Sequence, residues 1–441
     1  MFKRRGKADS HAMSLEKEIM ASELGKSKKA WSVLIGSTLA FTVCFMVWMM
    51  FGVIGIPIKK MLDLNETQFG LLIATPVLTG SLVRLPIGMW TDKFGGRIVF
   101  FLLMLSTVIP IYLMSYATQF WHFLVIGLFV GLAGGSFAVG ISYVARWFPK
   151  NQQGFAMGIF GAGNAGAAVT KFVAPALVLA FGWAMVPQVF AVIMLVAALL
   201  FWFLSHSDPT HCVASNVTWR EQLLALKDPR VWKYCQYYSI VFGGYVALAL
   251  WMTKYYVAEY GFDLRLAALL AATFSLPGGV LRALGGWLSD KYGAHKITWW
   301  VMWVMWICFF IMSYPQTEFT VKTVTGPQTF NIGLNAWVFT ALLFIAGVAS
   351  AFGKASVFKY ISDEYPQNIG VISGIVGLVG GLAGFLLPIM FGVLVDLTGI
   401  RSSAFMLMFA VVWVSLIWMY WTEVRRTEVM GSNATPFSLK N

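Results

Sequence analysis

Twelve apolar stretches, each about 18 to 28 residues long, fill most of this 441-residue chain. A hydrocarbon core about 30 Å thick takes roughly 20 apolar residues in a helix, because only a helix or a closed barrel satisfies its own backbone where water is absent. The stretches fall at about 31–57, 69–91, 98–117, 120–147, 154–181, 184–205, 234–258, 264–288, 297–314, 333–360, 370–395 and 402–422. They predict an all-α integral membrane protein of twelve transmembrane helices. Composition agrees: only 12% of residues are charged, about half the share usual in soluble domains. Soluble enzymes and nucleic-acid binders are thereby excluded. The net charge of +13 could suit a polyanion, but its Lys and Arg gather in alternate connections, as the positive-inside rule requires.

A polar stretch from His206 to Arg230 divides the windows into six and six. The expected organisation is an N-terminal segment 1–29, a first six-helix half 30–205, a linker 206–231, a second half 232–423 and a tail 424–441. Basic residues at the N-terminus, Lys93, Arg97, Arg146, Lys150, Arg220, Lys227, Arg230, Lys291, Lys296, Lys359, Arg425 and Arg426 all fall on one side if every window crosses. Both termini are therefore expected in the cytoplasm, with the protein in the inner membrane. The first window is too long for a signal-peptide core and is read as a retained span. Gln316 to Ile332 reads as an outward-facing loop. Cys44, Cys212, Cys235 and Cys308 show no metal or disulfide spacing, and no cofactor is implied.

Internal repetition narrows the fold further. Arg84-Leu-Pro-Ile-Gly88-Met-Trp-Thr-Asp92-Lys93-Phe-Gly95 ends the second window, and Arg282-Ala-Leu-Gly-Gly286-Trp-Leu-Ser-Asp290-Lys291-Tyr-Gly293 ends the eighth, 198 residues on. Gly154, Gly158 and Gly161 of the fifth window return as Gly370, Gly374 and Gly377 of the eleventh, 216 residues on. The halves are copies of one plan.

A charge inside a span costs several kcal/mol unless it faces a partner or a cavity. Arg84 lies about seven residues, roughly 10 Å, inside its window, too deep for easy snorkelling, and Arg282 has the same depth in the other half. No Asp or Glu falls in the apolar middle of any window to pair with them. Two guanidinium groups related by pseudo-symmetry converge on the space between the halves, where their planar forks suit a small planar oxyanion. The fifth window reads Gly158-Ile-Phe-Gly161-Ala-Gly163-Asn164-Ala-Gly166, and the eleventh Gly374-Ile-Val-Gly377-Leu-Val-Gly380-Gly381. Such stripes let helix backbones approach closely, and packing alone accounts for most of them. Asn164 adds an amide at mid-window. Lys354 in the tenth window lies at the depth of the arginines and opposite Phe137 when Pro149 is aligned with Pro366, which favours a cavity position. Lys171, seven residues after Asn164, is explained equally by snorkelling and by function.

The Gly88–Arg97 loop, its partner Gly286–Lys296 and the six-plus-six layout resemble the major facilitator superfamily over about residues 30 to 425. That resemblance implies a two-half major facilitator fold, with Asp92, Arg97 and Asp290 in a gating network on the cytoplasmic side. Gly-x-Gly-Asn-x-Gly, joined to one Arg in the second span and another in the eighth, is similar to the nitrate/nitrite porter family within it. The resemblance implies an anion held between Arg84 and Arg282, with Asn164 and Tyr238 donating hydrogen bonds, Phe137 and Phe242 as walls, Phe45 as a weaker wall, and Gly161, Gly163, Gly166, Gly377, Gly380 and Gly381 as the paired motif.

The expected function is secondary transport of nitrate, with nitrite as a second anion, by rocking of the halves. No membrane-embedded His, Asp or Glu cluster suggests an enzyme, and a channel is distinguished from a carrier by counterflow. A small organic-anion carrier is the competing carrier reading. Moving an anion inward against a negative-inside potential costs about 2.3 kcal/mol per 100 mV, so a proton or an exchanged anion must accompany it. Proton-linked uptake through Lys354 is favoured, and nitrate/nitrite antiport is the alternative.

Overall fold

The computed structural model describes residues 27–207, 227–365 and 369–424. The expected N-terminal segment before residue 27, the middle of the linker and the tail after residue 424 lie outside the described residues, as do Arg220, Cys212, Arg425 and Arg426. Among the described residues eleven helices are long and apolar enough to cross a membrane, and one bent pair makes a twelfth. They are α1 (Ser27–Met61), α2 (Glu66–Phe94), α3 (Gly96–Tyr116), α4 (Phe120–Ala145), α5 (Gln152–Phe181), α6 (Met185–Leu204), α7 (Pro229–Tyr260), α8 (Leu264–Val280 with Arg282–Tyr292), α9 (Ala294–Met312), α10 (Ala336–Glu364), α11 (Ile372–Thr398) and α12 (Ser403–Thr422). The surface explains the environment. Large apolar side chains such as Ile109, Leu179, Phe203 and Trp300 stand exposed around the bundle, where a water-soluble protein could not carry so much contiguous apolar area.

The loop expected at Gln316 to Ile332 is a β-hairpin, an addition to the all-α expectation. Strands β1 (Thr317–Thr323) and β2 (Gly326–Ile332) pair antiparallel, with Phe319 opposite Phe330. Gly326 turns the chain at φ 117°, a conformation that favours glycine.

The helices packed between the halves are interrupted at mid-membrane. Pro277 followed by Gly278 and Gly279 weakens α8, which bends by 48° ahead of Arg282, as proline and glycine do in long helices. Helix α2 breaks at Val83, ahead of Arg84. In α5 the coil tightens to a 3-10 turn over Ala162–Ala165, and in α4 over Gly131–Gly135. In α7 it widens to a π turn over Ser239–Gly244. Such departures recur at functional positions, because they redirect side chains and loosen backbone hydrogen bonds.

Pseudo-symmetry reaches the contacts themselves. A Cβ at Gly80 of α2 would press on the indole of Trp48 of α1, and one at Gly278 of α8 would press on the ring of Tyr245 of α7. Likewise Gly131 abuts the Pro76 carbonyl and Gly347 that of Phe274. Each half therefore holds its large aromatic against glycine in the same way.

Candidate functional site

Six Lys or Arg side chains are buried among the described residues, and no Asp or Glu is. Two of the six reach carboxylates: Lys233 pairs with Glu364 and Lys254 with Glu66. Arg84, Arg282, Lys171 and Lys354 make no ion pair with a described residue. Four uncompensated cations inside a membrane protein call for a physical reason, since each costs several kcal/mol to bury.

Arg84 and Arg282, 5% and 6% exposed, meet where the repeat predicts. Both guanidinium carbons lie over the ring of Phe137, at 5.7 and 5.1 Å from its centroid. Arg84 also faces Phe242 at 4.9 Å and Trp48 at 5.8 Å, and Arg282 faces Phe358 at 5.5 Å. Ring faces attract a cation by about 0.5 to 2 kcal/mol each, which offsets part of the desolvation. Tyr238 stacks on Phe242 at 5.1 Å and meets Phe358 edge-on at 4.9 Å, so its ring closes the cage.

Several polar groups here are left unpaired. Arg84 Nη1 donates to the Gly377 carbonyl across the halves at 3.0 Å. Its Nε, Arg282 Nη1, the Tyr238 hydroxyl, and both polar atoms of Asn164 are buried with no hydrogen-bond partner. Unpaired buried donors each cost about 1 to 3 kcal/mol. Grouped donors beside two guanidinium charges fit an anion with several acceptor oxygens.

The glycine stripes divide by what they touch. Gly161 carries no side chain where Arg282 passes, since a Cβ there would sit 2.8 Å from Arg282 Cδ. Its counterpart Gly377 accepts from Arg84 through its carbonyl. A Cβ at Gly381 would meet Ser81 Oγ of the opposite half at 2.2 Å. By contrast Gly163 and Gly166 pack on Phe41 and Thr42 of α1, and Gly380 on Tyr238 of α7, inside their own halves. Only part of the motif lies between the halves.

Lys354 is fully buried. Its Nζ donates to the Gly278 carbonyl at 2.7 Å and lies 3.4 Å over the ring of Tyr245. Tyr245 in turn donates to the Ser275 and Asn164 carbonyls at 2.8 and 3.3 Å. Lys171 does not snorkel. It is 3% exposed, and its Nζ donates to Ser275 Oγ of the other half at 2.8 Å and to the Ala167 carbonyl at 3.3 Å. Phe45 packs on Phe41 and Trp48. Trp48, one turn on, is the α1 ring over Arg84.

Of the expected gating residues, Asp92 pairs with Arg146, and Asp290 lies 3.5 Å from Lys359, each within its own half. Arg97 fastens α3 to α6, with Nη2 donating to the Trp202 carbonyl at 2.8 Å and the guanidinium 4.1 Å over the Trp202 ring. On the opposite side the halves are joined directly. Lys254 of α7 pairs with Glu66 of α2, which Lys59 also reaches at 2.9 Å. Asp396 of α11 accepts from the Glu66 and Thr67 backbone N–H groups at 3.1 and 2.8 Å, capping α2 from the other half, where a carboxylate complements the helix dipole. Below that, the glycine faces of Gly70 and Gly392 lie against the backbones of Pro388 and Glu66. Hydropathy does not reveal this latch; its signal in the sequence is Lys254 and Asp396 lying at the ends of apolar windows on the side poor in basic residues.

Residues 37–321 match the Major Facilitator Superfamily. The chain is 39% identical over 408 residues to the probable nitrate/nitrite antiporter NarK1 of Thermus thermophilus, covering 89% of this chain and 91% of that one. It is 30% identical to the nitrite extrusion protein of Bacillus subtilis, over 88% and 94% of the two chains. It is also 30% identical to the probable nitrate transporter NarT of Staphylococcus carnosus, over 87% and 93%. Among solved structures, an inward-facing, unoccupied bacterial homolog of the human lysosomal transporter Spinster superposes with a TM-score of 0.63 at 18% identity, over 89% of this chain and 95% of that one. That likeness concerns the fold.

Proposed function

The chain belongs to the Major Facilitator Superfamily and, within it, to the nitrate/nitrite porters, and from that premise we propose that it carries nitrate, with nitrite as a second anion, by alternating access around Arg84 and Arg282. It is a multi-pass membrane transporter and not an enzyme. The observation that carries the proposal is the convergence of two buried guanidinium groups on Phe137, with unpaired donors of Arg84, Arg282 and Tyr238 there and an unpaired buried amide at Asn164 of α5. A planar trigonal anion accepts from both forks at once, and its binding offsets the repulsion between them. The rings of Trp48, Phe137, Phe242 and Phe358 crowd the arginine pair, which favours a compact anion over a bulky one.

Following the positive-inside rule, the side bearing Asp92 and Asp290 is assigned to the cytoplasm of an inner membrane, with both termini there. The Glu66, Lys254 and Asp396 latch then closes the outer side. Lys354 supplies the link to protons. It is buried without a carboxylate, held by the Gly278 carbonyl four residues before Arg282 on α8, and an arriving anion stabilises its charged form. Reconstituted vesicles test this. Nitrate addition should alkalinise the outside, and Lys354→Gln should lose that signal while nitrate/nitrate counterflow survives. Undiminished proton movement in Lys354→Gln sinks the coupling role. Uptake that requires internal nitrite and ignores a pH gradient selects exchange, the reading favoured by the permanent charge of the empty arginine pair and by the name of the Thermus relative.

A further inference from the structure

Among the described residues, Lys171 is the buried cation without a carboxylate partner that neither substrate binding nor proton coupling uses. Resting on the nitrate reading above, we infer that Lys171 is an outer anion contact: its ammonium, held by Ser275 while the outer side is closed, is released when the halves part there and receives the anion before the arginines do.

Three observations support it. The first is position. Lys171 lies seven residues beyond Asn164 along α5, about 10 Å at 1.5 Å per residue, on the side closed by the Glu66, Lys254 and Asp396 latch. The second is the partner. Ser275 belongs to α8 of the other half, and α5 meets α8 so closely nearby that a Cβ at Gly279 would lie 2.4 Å from the Ala165 nitrogen. Outer opening must separate these two helices, and with them Lys171 from Ser275. Only the Ala167 carbonyl, on its own helix, would then remain, and a charged group in an aqueous vestibule attracts an anion.

The third observation is the other half. Displacing Lys171 by the α5 to α11 repeat of 216 residues gives Leu387, and displacing Ser275 back by the α2 to α8 repeat of 198 gives Val77. Both are buried apolar residues. The same place in the same fold is therefore filled without charge, so the fold does not require an ammonium there. Because a buried cation without a carboxylate is costly, its retention on one side only points to the ligand's charge.

Labelled nitrate/nitrate exchange, with the opposite face saturated, reads each face of the full-length protein separately in vesicles of both orientations. Lys171→Met should raise the outer half-saturation concentration about tenfold, in line with loss of one charge-assisted contact, and leave the inner value within twofold. Lys171→Arg should stay within threefold of wild type at both faces. Ser275→Ala removes the tether and keeps the charge, so its outer value should stay level or fall. An unchanged outer value in Lys171→Met overturns the inference. So does a rise in Ser275→Ala, which would show that the intact pair and not the released ammonium sets the outer value, and this holds even if Lys171→Met fails to reach the membrane. Absence of nitrate exchange in the unsubstituted protein removes the nitrate reading itself, and this inference with it.

Discussion

Arg84 and Arg282 occupy equivalent places in the two halves, yet their surroundings differ. Arg84 is fixed by a hydrogen bond to the Gly377 carbonyl and flanked by Trp48, Phe137 and Phe242. Arg282 has Phe137 and Phe358, with its stem against Gly161. At the position where the first half offers Phe137 to both arginines, the second offers Lys354, turned onto Tyr245 and Gly278. At the position where the second half has Leu387, the first has Lys171. In the proposed reading the duplicated plan supplies the shared task, a charge from each side for one anion, and the departures from it supply charges that only one half carries. On that reading symmetry marks what holds the substrate, and asymmetry marks what drives or guides it.

The largest expected effect tests the symmetric part. Arg84→Lys and Arg282→Lys should each weaken nitrate binding roughly ten- to a hundredfold, since an ammonium cannot reproduce a bidentate fork. Isothermal titration of purified protein would check this. Wild-type affinity in either variant breaks the shared-task reading, and strongly unequal losses would show that one fork carries the anion.

A smaller effect sharpens the comparison at the glycines beside each arginine. Gly161→Ala would place a methyl 2.8 Å from Arg282 Cδ, while Gly377→Ala would place one 3.7 Å from Arg84 Nη1. The first must displace its guanidinium and the second need not. Nitrate half-saturation should rise roughly three- to tenfold in Gly161→Ala, because small misplacement of a binding group is costly, and stay within about twofold in Gly377→Ala. Equal effects would show that the stripes act only in packing. Gly163→Leu belongs to a separate class: its side chain meets Phe41 and Thr42 within the same half, so it should lower folded yield more than it alters half-saturation.

These sites were legible in the sequence to different depths, for physical reasons. Intramembrane charge is costly, so Arg84, Arg282 and Lys354 stood out against twelve apolar windows, and repetition identified the fold. Trp48 and Phe358 did not stand out, since aromatic rings are common in every span and only contact distinguishes a wall from packing; the one hint for Phe358 was its place one turn after Lys354. The fate of Lys171 was undecidable from depth alone, because a lysine stem reaches either outward to the interface or across to a neighbouring helix, and the choice is made by Ser275, 104 residues away. Mid-helix tightening at Ala162–Ala165 and widening at Ser239–Gly244 leave no trace in hydropathy. The hairpin at Thr317 to Ile332 pairs Phe319 with Phe330, an alternation too short and polar to separate from a loop.

The smallest expected effect concerns the two ends of the molecule. Asp396 caps α2 from the opposite half, whereas Asp92 pairs with Arg146 within its own. Removing the first charge should loosen the contact between halves on the outer side, and removing the second should not. A carboxylate at a helix N-terminus is worth about 0.3 to 1 kcal/mol, so Asp396→Asn, which keeps an accepting oxygen, should enlarge the outer-open population roughly two- to fivefold. Val77→Cys provides the reporter: Val77 is fully buried, with a methyl 3.4 Å from where a Cβ at Gly384 of α11 would lie, so a membrane-impermeant maleimide reaches it only after the halves part. Labelling from the outer face should quicken by that factor in Asp396→Asn and keep its wild-type rate in Asp92→Asn. If the two variants label alike, the capping carboxylate is not a latch between the halves, and closure on that side is held by the Lys254–Glu66 pair and by the packing of Gly70 and Gly392 against Pro388 and Glu66.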